Sequence, residues 1–450
     1  MRTAALVAGV RAQLTDPLIR SAYSLMANTV LSGVLGVAFW VIAARLYPPE
    51  SLGRDAALIA ALFELSIVAQ LNLQHVLPRF LPSLKRGISR ALLGAYGLSG
   101  ATALVLGGGF VLAAPLASHQ FDFLTSDPRM GAVYVLALVS WVWFTLQDAA
   151  LIAVRRAPWV LVDNGVFGVL KLAALPMFVA IGATHGALLA WVLPVILLLT
   201  PINYLLFRKF IPEHVRTQRP AGSRLESLGR ARLVRFVAQD YVATVLAHAG
   251  ILMLPLLVVG LLGSSAYAYF YIPFTIVIVF DEVFYAVGRS LVAEGALAEH
   301  QIRDLSRKVV RRSVQFLVPG TLLTVSAAPL MLIPFGEDYV SEGTPVLRVL
   351  ACACVFQAAI ALYLSVARLQ GFGLRILVVN GALTVLLVGG TLVLADPLGL
   401  VGIALAWLGS SAAVALAILP SLLRFFRSPS GDEVGMERMG SSSPTEVTIQ

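Results

Sequence analysis

The chain has 450 residues, of which 58% are hydrophobic and 13% charged, and its formal net charge is +9. Its apolar runs far exceed what a helix in a soluble core uses, which excludes a soluble globular domain, since about 20 apolar residues cross a bilayer core of about 30 Å. Its two cysteines, Cys352 and Cys354, fall on different faces of one expected helix, which excludes a disulfide framework and a thiolate metal site.

In chain order, residues 1–20, with Arg2, Arg11 and Arg20, read as an amphipathic cytoplasmic lead-in. Twelve apolar runs follow, at about 21–45, 53–77, 91–117, 131–154, 161–182, 186–207, 235–261, 265–288, 313–334, 346–368, 375–395 and 399–423. Spans must be helical, because lipid offers backbone amides no partner. The expected fold class is therefore an all-α integral membrane protein with 12 transmembrane helices. The first run is too long for a removable signal peptide and carries no small-residue cleavage site. Six runs make an N-terminal lobe at 21–207 and six a C-terminal lobe at 235–424. The hydrophilic stretch 208–234 reads as a cytoplasmic inter-lobe linker, and 425–450, rich in Ser, Gly and mixed charge, as a disordered cytoplasmic tail.

The basic excess is unevenly placed. Of the 33 Lys and Arg, 28 lie in the N-terminus, in connections after even-numbered runs or in the tail. Arg45, Arg54, Arg129 and Arg348 lie on the other side, and Lys171 within a run. This is the positive-inside asymmetry, and it places both termini in the cytoplasm. The excess is a topology signal with a secondary attraction for anionic lipid, and no nucleic-acid partner is expected. Arg outnumbers Lys 29 to 4, which points to a GC-rich bacterial source.

Several runs carry polar residues at helical spacing. Ser24, Asn28 and Ser32 stack on one face of the first, and Asp240, Thr244 and His248 on one face of the seventh. A polar face turned to lipid is costly, so both should face protein or water, either as cavity lining or as interhelical glue worth about 0.6 kcal/mol per contact. Glu64 lies near mid-depth of the second run, about eleven residues in. Asp281 and Glu282 lie deeper toward the cytoplasm in the eighth, in a stripe with Tyr271, Thr275, Tyr285 and Arg289. Lys171 sits about ten residues into the fifth run, where an unpaired Lys costs about 2.5–3.5 kcal/mol. It should therefore face a wet cavity or pair with an acid such as Glu64 or Asp148. Gly107–Gly109 read as close helix packing.

The chain also repeats itself. Leu161-Val162-Asp163-Asn164-Gly165 returns as Leu377-Val378-Val379-Asn380-Gly381, and Gly186–Trp191 returns as Gly402–Trp407, both 216 residues later. The same offset carries Ser24, Asn28 and Ser32 onto Asp240, Thr244 and His248. A fixed-period repeat makes two parallel halves, with anything that binds lying between them.

Family signals overlie this pattern. They are Ala27-Asn28-Thr29-Val30, Phe39–Tyr47, Glu50, Gly53 and Leu77–Pro82 in the first half, and Phe335–Tyr339, Leu347–Leu350, Asn380, Gly399 and Gly402-Ile403-Ala404 in the second. Over roughly 20–420 the chain resembles Wzx-type polysaccharide flippases of the multidrug/oligosaccharidyl-lipid/polysaccharide (MOP) exporter superfamily. The resemblance implies two six-helix bundles around a cavity walled by spans 1, 2, 7 and 8. It also implies alternating access that carries a polyprenyl-diphosphate-linked oligosaccharide from the inner to the outer leaflet of a bacterial cell membrane, alongside other polysaccharide assembly proteins. Cationic residues would hold the diphosphate, the candidates being Arg45, Arg54, Lys171, His248 and Arg289 with Asn28. For Arg45 and Arg54, at span ends, interface snorkelling is the simpler reading.

Two other functions remain in view. A drug or cation antiporter of the same superfamily needs an intramembrane carboxylate, and Glu64, Asp240, Asp281 and Glu282 are candidates for ion coupling. A membrane glycan polymerase or glycosyltransferase needs a catalytic set on a sizeable loop. The outer connections, about 118–130 and 335–345, are short, and no metal-ligand spacing, nucleophile motif or phosphate-cradling loop is present. No catalytic residue, metal or cofactor is expected.

Overall fold

The computed structural model describes residues 17–84, 87–217, 230–295, 302–369 and 372–427. Within these it describes the backbone but not the side chains of 17–19, 22, 83, 230–240, 243, 280–295, 302–314, 316, 369 and 425–427. All described regular structure is helical. The helices are α1 (Pro17–Leu46), α2 (Pro49–Ala69), α3 (Leu73–Phe80), α4 (Ile88–Ala117), α5 (Pro128–Ala153) and α6 (Ala157–Ala180). They continue as α7 (Gly186–Leu205), α8 (Arg230–Leu262), α9 (Ser264–Gly295), α10 (Ile302–Leu332), α11 (Glu337–Leu369) and α12 (Gly373–Arg427).

Local chemistry sets the boundaries. Proline opens α2, α5 and α6, where its missing N–H is one of the unpaired donors of a first turn. Asp127 caps α5 by accepting a hydrogen bond from the Arg129 N–H at 3.0 Å. Leu71 and Asn72, with φ of 52° and 60°, break the chain between α2 and α3, and the two helices bend by 48° there.

Among the described residues eight helices are long and apolar enough to cross a membrane, or nine if α2 and α3 count as one bent span. Ser264–Val279 and Leu317–Leu332 are shorter apolar helices. Large apolar side chains such as Val30, Val105, Leu112, Leu116, Leu330 and Val393 lie on the outside, a surface that suits hydrocarbon and not water. The chain is a multi-pass membrane protein. The expected runs 375–395 and 399–423 are two helices within α12, divided at Gly399, whose φ of 58° and ψ of −138° are not helical and suit glycine. Gly107 packs as expected, with Leu138 Cδ2 3.2 Å from where its Cβ would stand.

The helices pack in two groups. In the first, α1 lies on α6, α4 on α5, and α5 and α6 on α7; in the second, α9, α10 and α12 surround α11, and α8 lies on α12. Helix α2 is the seam, packed against α8 and α9 of the second group. The end of the bundle where α1 begins is called the near end below, and the end where α1 finishes the far end. At the far end α2 and α9 touch backbone to backbone: a Cβ on Gly53 would stand 1.8 Å from the Ser264 carbonyl oxygen.

The expected linker 208–234 is helical at both described ends. Leu206–Phe210 forms a π-turn that runs into a helix at Ile211–Thr217, and α8 begins at Arg230. Arg156 anchors this extension, pairing with Glu213 and lying 5.1 Å over the Phe210 ring. Residues 1–16 of the lead-in, 218–229 of the linker and 428–450 of the tail lie outside the described residues.

Candidate functional site

The seam is where the chemistry gathers. Helix α2 starts at Pro49, so Glu64 lies about 22 Å along it from the far end, deeper than the mid-depth expected from the sequence. His248 lies fourteen residues before the last residue of α8, Leu262, and so reaches the same depth from the second group. Its Nδ1–H donates to Glu64 Oε2 at 2.7 Å, with both side chains partly buried. About one turn nearer the near end, Tyr241 donates its O–H to the Val68 carbonyl at 3.0 Å. At this depth the seam is bridged by a backbone-to-side-chain hydrogen bond and by one between ionisable side chains.

An aromatic cluster lies on the far-end side of this pair. Trp40 of α1 meets Tyr271 of α9 edge to face at 4.8 Å, so the two groups touch through rings as well. Trp191 of α7 packs on Phe39, Phe63 and Phe167 at 4.8, 5.4 and 5.8 Å. Lys171 is sealed into this cluster at 4% exposure, its Nζ 3.8 Å from the Trp191 ring centre, 4.9 Å from Phe167 and 5.3 Å from Phe39. The two acids considered for it are engaged elsewhere, Glu64 with His248 and Asp148 with Asn164. Ring faces take the place of a carboxylate, since the negative face of an aromatic ring attracts an ammonium by up to about 2 kcal/mol when desolvated.

The other candidates separate. Arg45 crosses to the second group, where its Nε and Nη2 donate to the carbonyls of Pro334 and Ile333 at 2.8 and 2.9 Å, just past the end of α10. Interface snorkelling does not describe a guanidinium fixed in this way. Arg54 pairs with Glu50 on its own helix at 3.0 Å. Asn28 is half-buried, and its Oδ1 has no partner. The side chains of Asp240, Asp281, Glu282 and Arg289 lie outside those described.

The fold is shared with solved transporters. A multidrug-resistance MATE-family transporter of the MOP superfamily, in its inward-facing conformation, superposes with a TM-score of 0.63 at 15% identity, covering 91% of this chain and 100% of the other. The chain has the fold of the MOP-superfamily transporters. The lipid II flippase MurJ in an inward closed conformation gives a TM-score of 0.63 at 12% identity over 94% of both chains. A MOP-superfamily transporter from Pyrococcus furiosus gives 0.54 at 14% identity over 91% of this chain and 95% of that one. No protein-family model and no curated protein matches the sequence.

Within the MOP fold, two features escaped the sequence reading. Asp55, fully buried on α2, accepts from the N–H groups of Ala187 and Leu188 at 3.0 and 3.1 Å, so a side chain of one helix caps the start of another. Its second oxygen meets His185 Nδ1 at 2.8 Å. The signal was an acid within the apolar start of α2, overlooked beside Arg54. The second feature is a reciprocal clasp between α5 and α6, in which Gln147 Nε2 donates to Asp163 Oδ2 at 2.6 Å and Asn164 Nδ2 donates to Asp148 Oδ2 at 2.8 Å. A groove of about 950 Å³, lined by Gly100, Leu104, Gly108, Val135 and Trp143 among others, opens between α4 and α5, on the flank of the first group and away from the seam.

Proposed function

We propose that this chain is a membrane transporter that moves a lipid-linked oligosaccharide or polysaccharide precursor across a bacterial cell membrane by alternating access. The observation that carries the reading is the Glu64–His248 hydrogen bond, which joins two ionisable side chains from opposite sides of the seam. Such a bond must break if the two groups of helices are to part, and its strength changes with the protonation of either partner. A transporter that rocks two bundles about a central site needs a contact of this kind.

The substrate class draws on three supports. Rings at the seam, Trp40 and Tyr271, beside a hydrogen-bonding Glu–His pair, suit a sugar headgroup that stacks and hydrogen-bonds. Protonated His248 would face a diphosphate from the seam, with Arg289 the further cationic candidate on α9. The likeness to the lipid II flippase along nearly the whole chain agrees with a lipid carrier. With both termini in the cytoplasm, as the charge asymmetry indicates, the far end is the outer side. The contacts of Arg45 with Ile333 and Pro334 and of Gly53 with Ser264 then close the outer side, and the two lobes, 21–207 and 235–424, are the moving bodies. Glu64, with Asp240, Asp281 and Glu282, supplies the candidates for ion coupling.

A second reading, an antiporter for organic cations, is favoured by the partly exposed carboxylate of Glu64 at the seam. Reconstitution separates the two. In proteoliposomes, the full chain should carry a polyprenyl-diphosphate oligosaccharide between leaflets, and Glu64→Gln should slow this at least about tenfold, the loss of roughly 1.4 kcal/mol. Absence of lipid movement, together with gradient-driven export of an organic cation, would establish the antiporter instead.

A further inference from the structure

The groove between α4 and α5 is not used by the seam. Its lining runs from Gly97 to Leu112 on α4 and from Pro128 to Trp143 on α5, about 22 Å along each helix. One leaflet's share of a hydrocarbon core of about 30 Å is half of that thickness, so the groove runs from the far-end interface past the depth of one leaflet. Among its lining residues only Thr125 and Trp143 carry a polar group on the side chain. The Trp143 indole N–H is spent on the Tyr96 carbonyl at 2.9 Å.

The glycines of the groove fall into two kinds. A Cβ on Gly100 would stand 3.0 Å from Trp143, and one on Gly131 would stand 2.5 Å from the Leu124 carbonyl oxygen, so these two permit close packing. A Cβ on Gly97 or Gly108 would meet nothing within 4 Å. Glycine inside a helix is destabilising relative to alanine, and no contact within the chain accounts for it at these two positions. What the missing side chains preserve is open space in the groove.

The mouth at the far end is preformed. Leu124 sits over Gly131 on one side of the α4–α5 connection, and on the other a Cβ on Gly260 of α8 would stand 2.7 Å from the Ala117 carbonyl oxygen. Beside Thr125 and Pro128 stand Asp127 and Arg129, both exposed. Asp127 Oδ1 accepts from the Arg129 backbone N–H, while among the described residues the Arg129 guanidinium makes no ion pair and Asp122 is taken by His119. One cation and one anion at the mouth of an apolar groove match a headgroup that carries both signs. A helix of a second copy fits less well. Leu104 and Leu112 project among the glycines and keep a helix about 10–12 Å across from the close backbone approach that small residues permit. A flexible acyl chain passes between them.

We propose that this groove binds one acyl chain of a zwitterionic aminophospholipid from the leaflet at the far end, with the phosphate at Arg129 and the ammonium at Asp127. The site lies on the flank of one lobe and does not depend on which substrate the seam carries.

The test uses the purified full chain in phosphatidylcholine nanodiscs with a trace of phosphatidylethanolamine whose tail carries a diazirine, the cross-links being mapped by peptide mass spectrometry. Labelling within 97–143 should saturate, and unlabelled phosphatidylethanolamine should compete roughly tenfold better than phosphatidylglycerol or phosphatidylcholine. Gly108→Leu and Gly97→Leu fill the groove without meeting a neighbour and should abolish the labelling. Asp127→Asn, which keeps a capping side chain, and Arg129→Gln, at an exposed position, should each erase the headgroup preference and keep the proposal testable where a groove variant fails to fold. Glu64→Gln should leave the labelling unchanged. Equal labelling of wild type and Gly108→Leu, or equal competition by the three phospholipids, would overturn the site. Displacement by a polyprenyl phosphate at lower concentration than by phosphatidylethanolamine would assign the groove to an isoprenoid instead, and a dimer that Gly108→Leu dissolves would assign it to a second copy; either result overturns the proposal.

Discussion

At the residue scale, the buried ionisable side chains Asp55 and Lys171 are held in two different ways, and each responds differently to substitution. Asp55 is satisfied by two backbone N–H groups and a histidine. Asp55→Ala strips the start of α7 of its acceptors and leaves buried His185 without its carboxylate, so it should destabilise the protein by about 3 kcal/mol. Asp55→Asn keeps an acceptor and should lose less. Thermal unfolding of the two purified variants checks the order, and equal losses would mean that the cap carries little. Lys171 is held against the rings of Trp191, Phe167 and Phe39. Lys171→Met places a flexible apolar chain of similar length among the same rings and should change stability by less than about 1.5 kcal/mol. Trp191→Ala removes a ring shared by Phe39, Phe63, Phe167 and Lys171 and should cost about 3–5 kcal/mol. A larger loss in Lys171→Met than in Trp191→Ala would show that charge, not ring packing, organises the cluster.

These residues mark the reach of sequence reasoning. Glu64 and His248 stood out as ionisable groups in apolar spans, and both meet at the seam. Lys171 was equally conspicuous, but its partners were sought among acids, because a stripe or spacing argument sees one helix at a time. The ring cage draws on α1, α6 and α7 together. Asp163 was read only as part of a repeated pentapeptide, and the reciprocal clasp with Gln147-Asp148 needs the pairing of α5 with α6. Arg45 was assigned to an interface because its acceptors, two bare carbonyls near residue 333, carry no sequence signature at all.

At the element scale, the far-end closure depends on how near α2 approaches α9 and on what Arg45 holds. Gly53→Ala places a methyl group where the Ser264 carbonyl oxygen now stands, so α2 and α9 must separate. Cysteine cross-linking between Leu46 and Ile333 should then fall, with thermal stability reduced. Unchanged cross-linking would mean that the helices yield elsewhere. Arg45→Gln gives up charge-assisted bonds to Ile333 and Pro334. Because the side chain is exposed, the effect should be near 1 kcal/mol, roughly a fivefold change in the ratio of closed to open far ends. The helix pattern was well marked by composition, since nearly every expected run lies in a helix. One thing was not. The stretch 208–217 is helical because Arg156 and Phe210 hold it against the bundle, and a tertiary anchor to a polar segment is invisible to hydropathy.

At the scale of the whole molecule, α2 stands against α8 and α9, while α1 lies on α6 and reaches the second group through Trp40 and Arg45. Movement of one group of helices against the other would therefore slide or part the α2 surfaces and break the Glu64–His248 and Tyr241–Val68 bonds together. The account's central claim is that this seam opens and closes at opposite ends in turn. The most direct measurement is double electron–electron resonance on the full chain in lipid, with Cys352 and Cys354 replaced by serine. One spin-label pair would sit at Leu46 and Ile333, at the far end, and another at Arg79 and Val242, toward the near end. The account predicts two populations in which a longer far-end distance accompanies a shorter near-end distance, shifted by the lipid-linked substrate and by Glu64→Gln. A single fixed distance at both ends, or lengthening of both together, would contradict it.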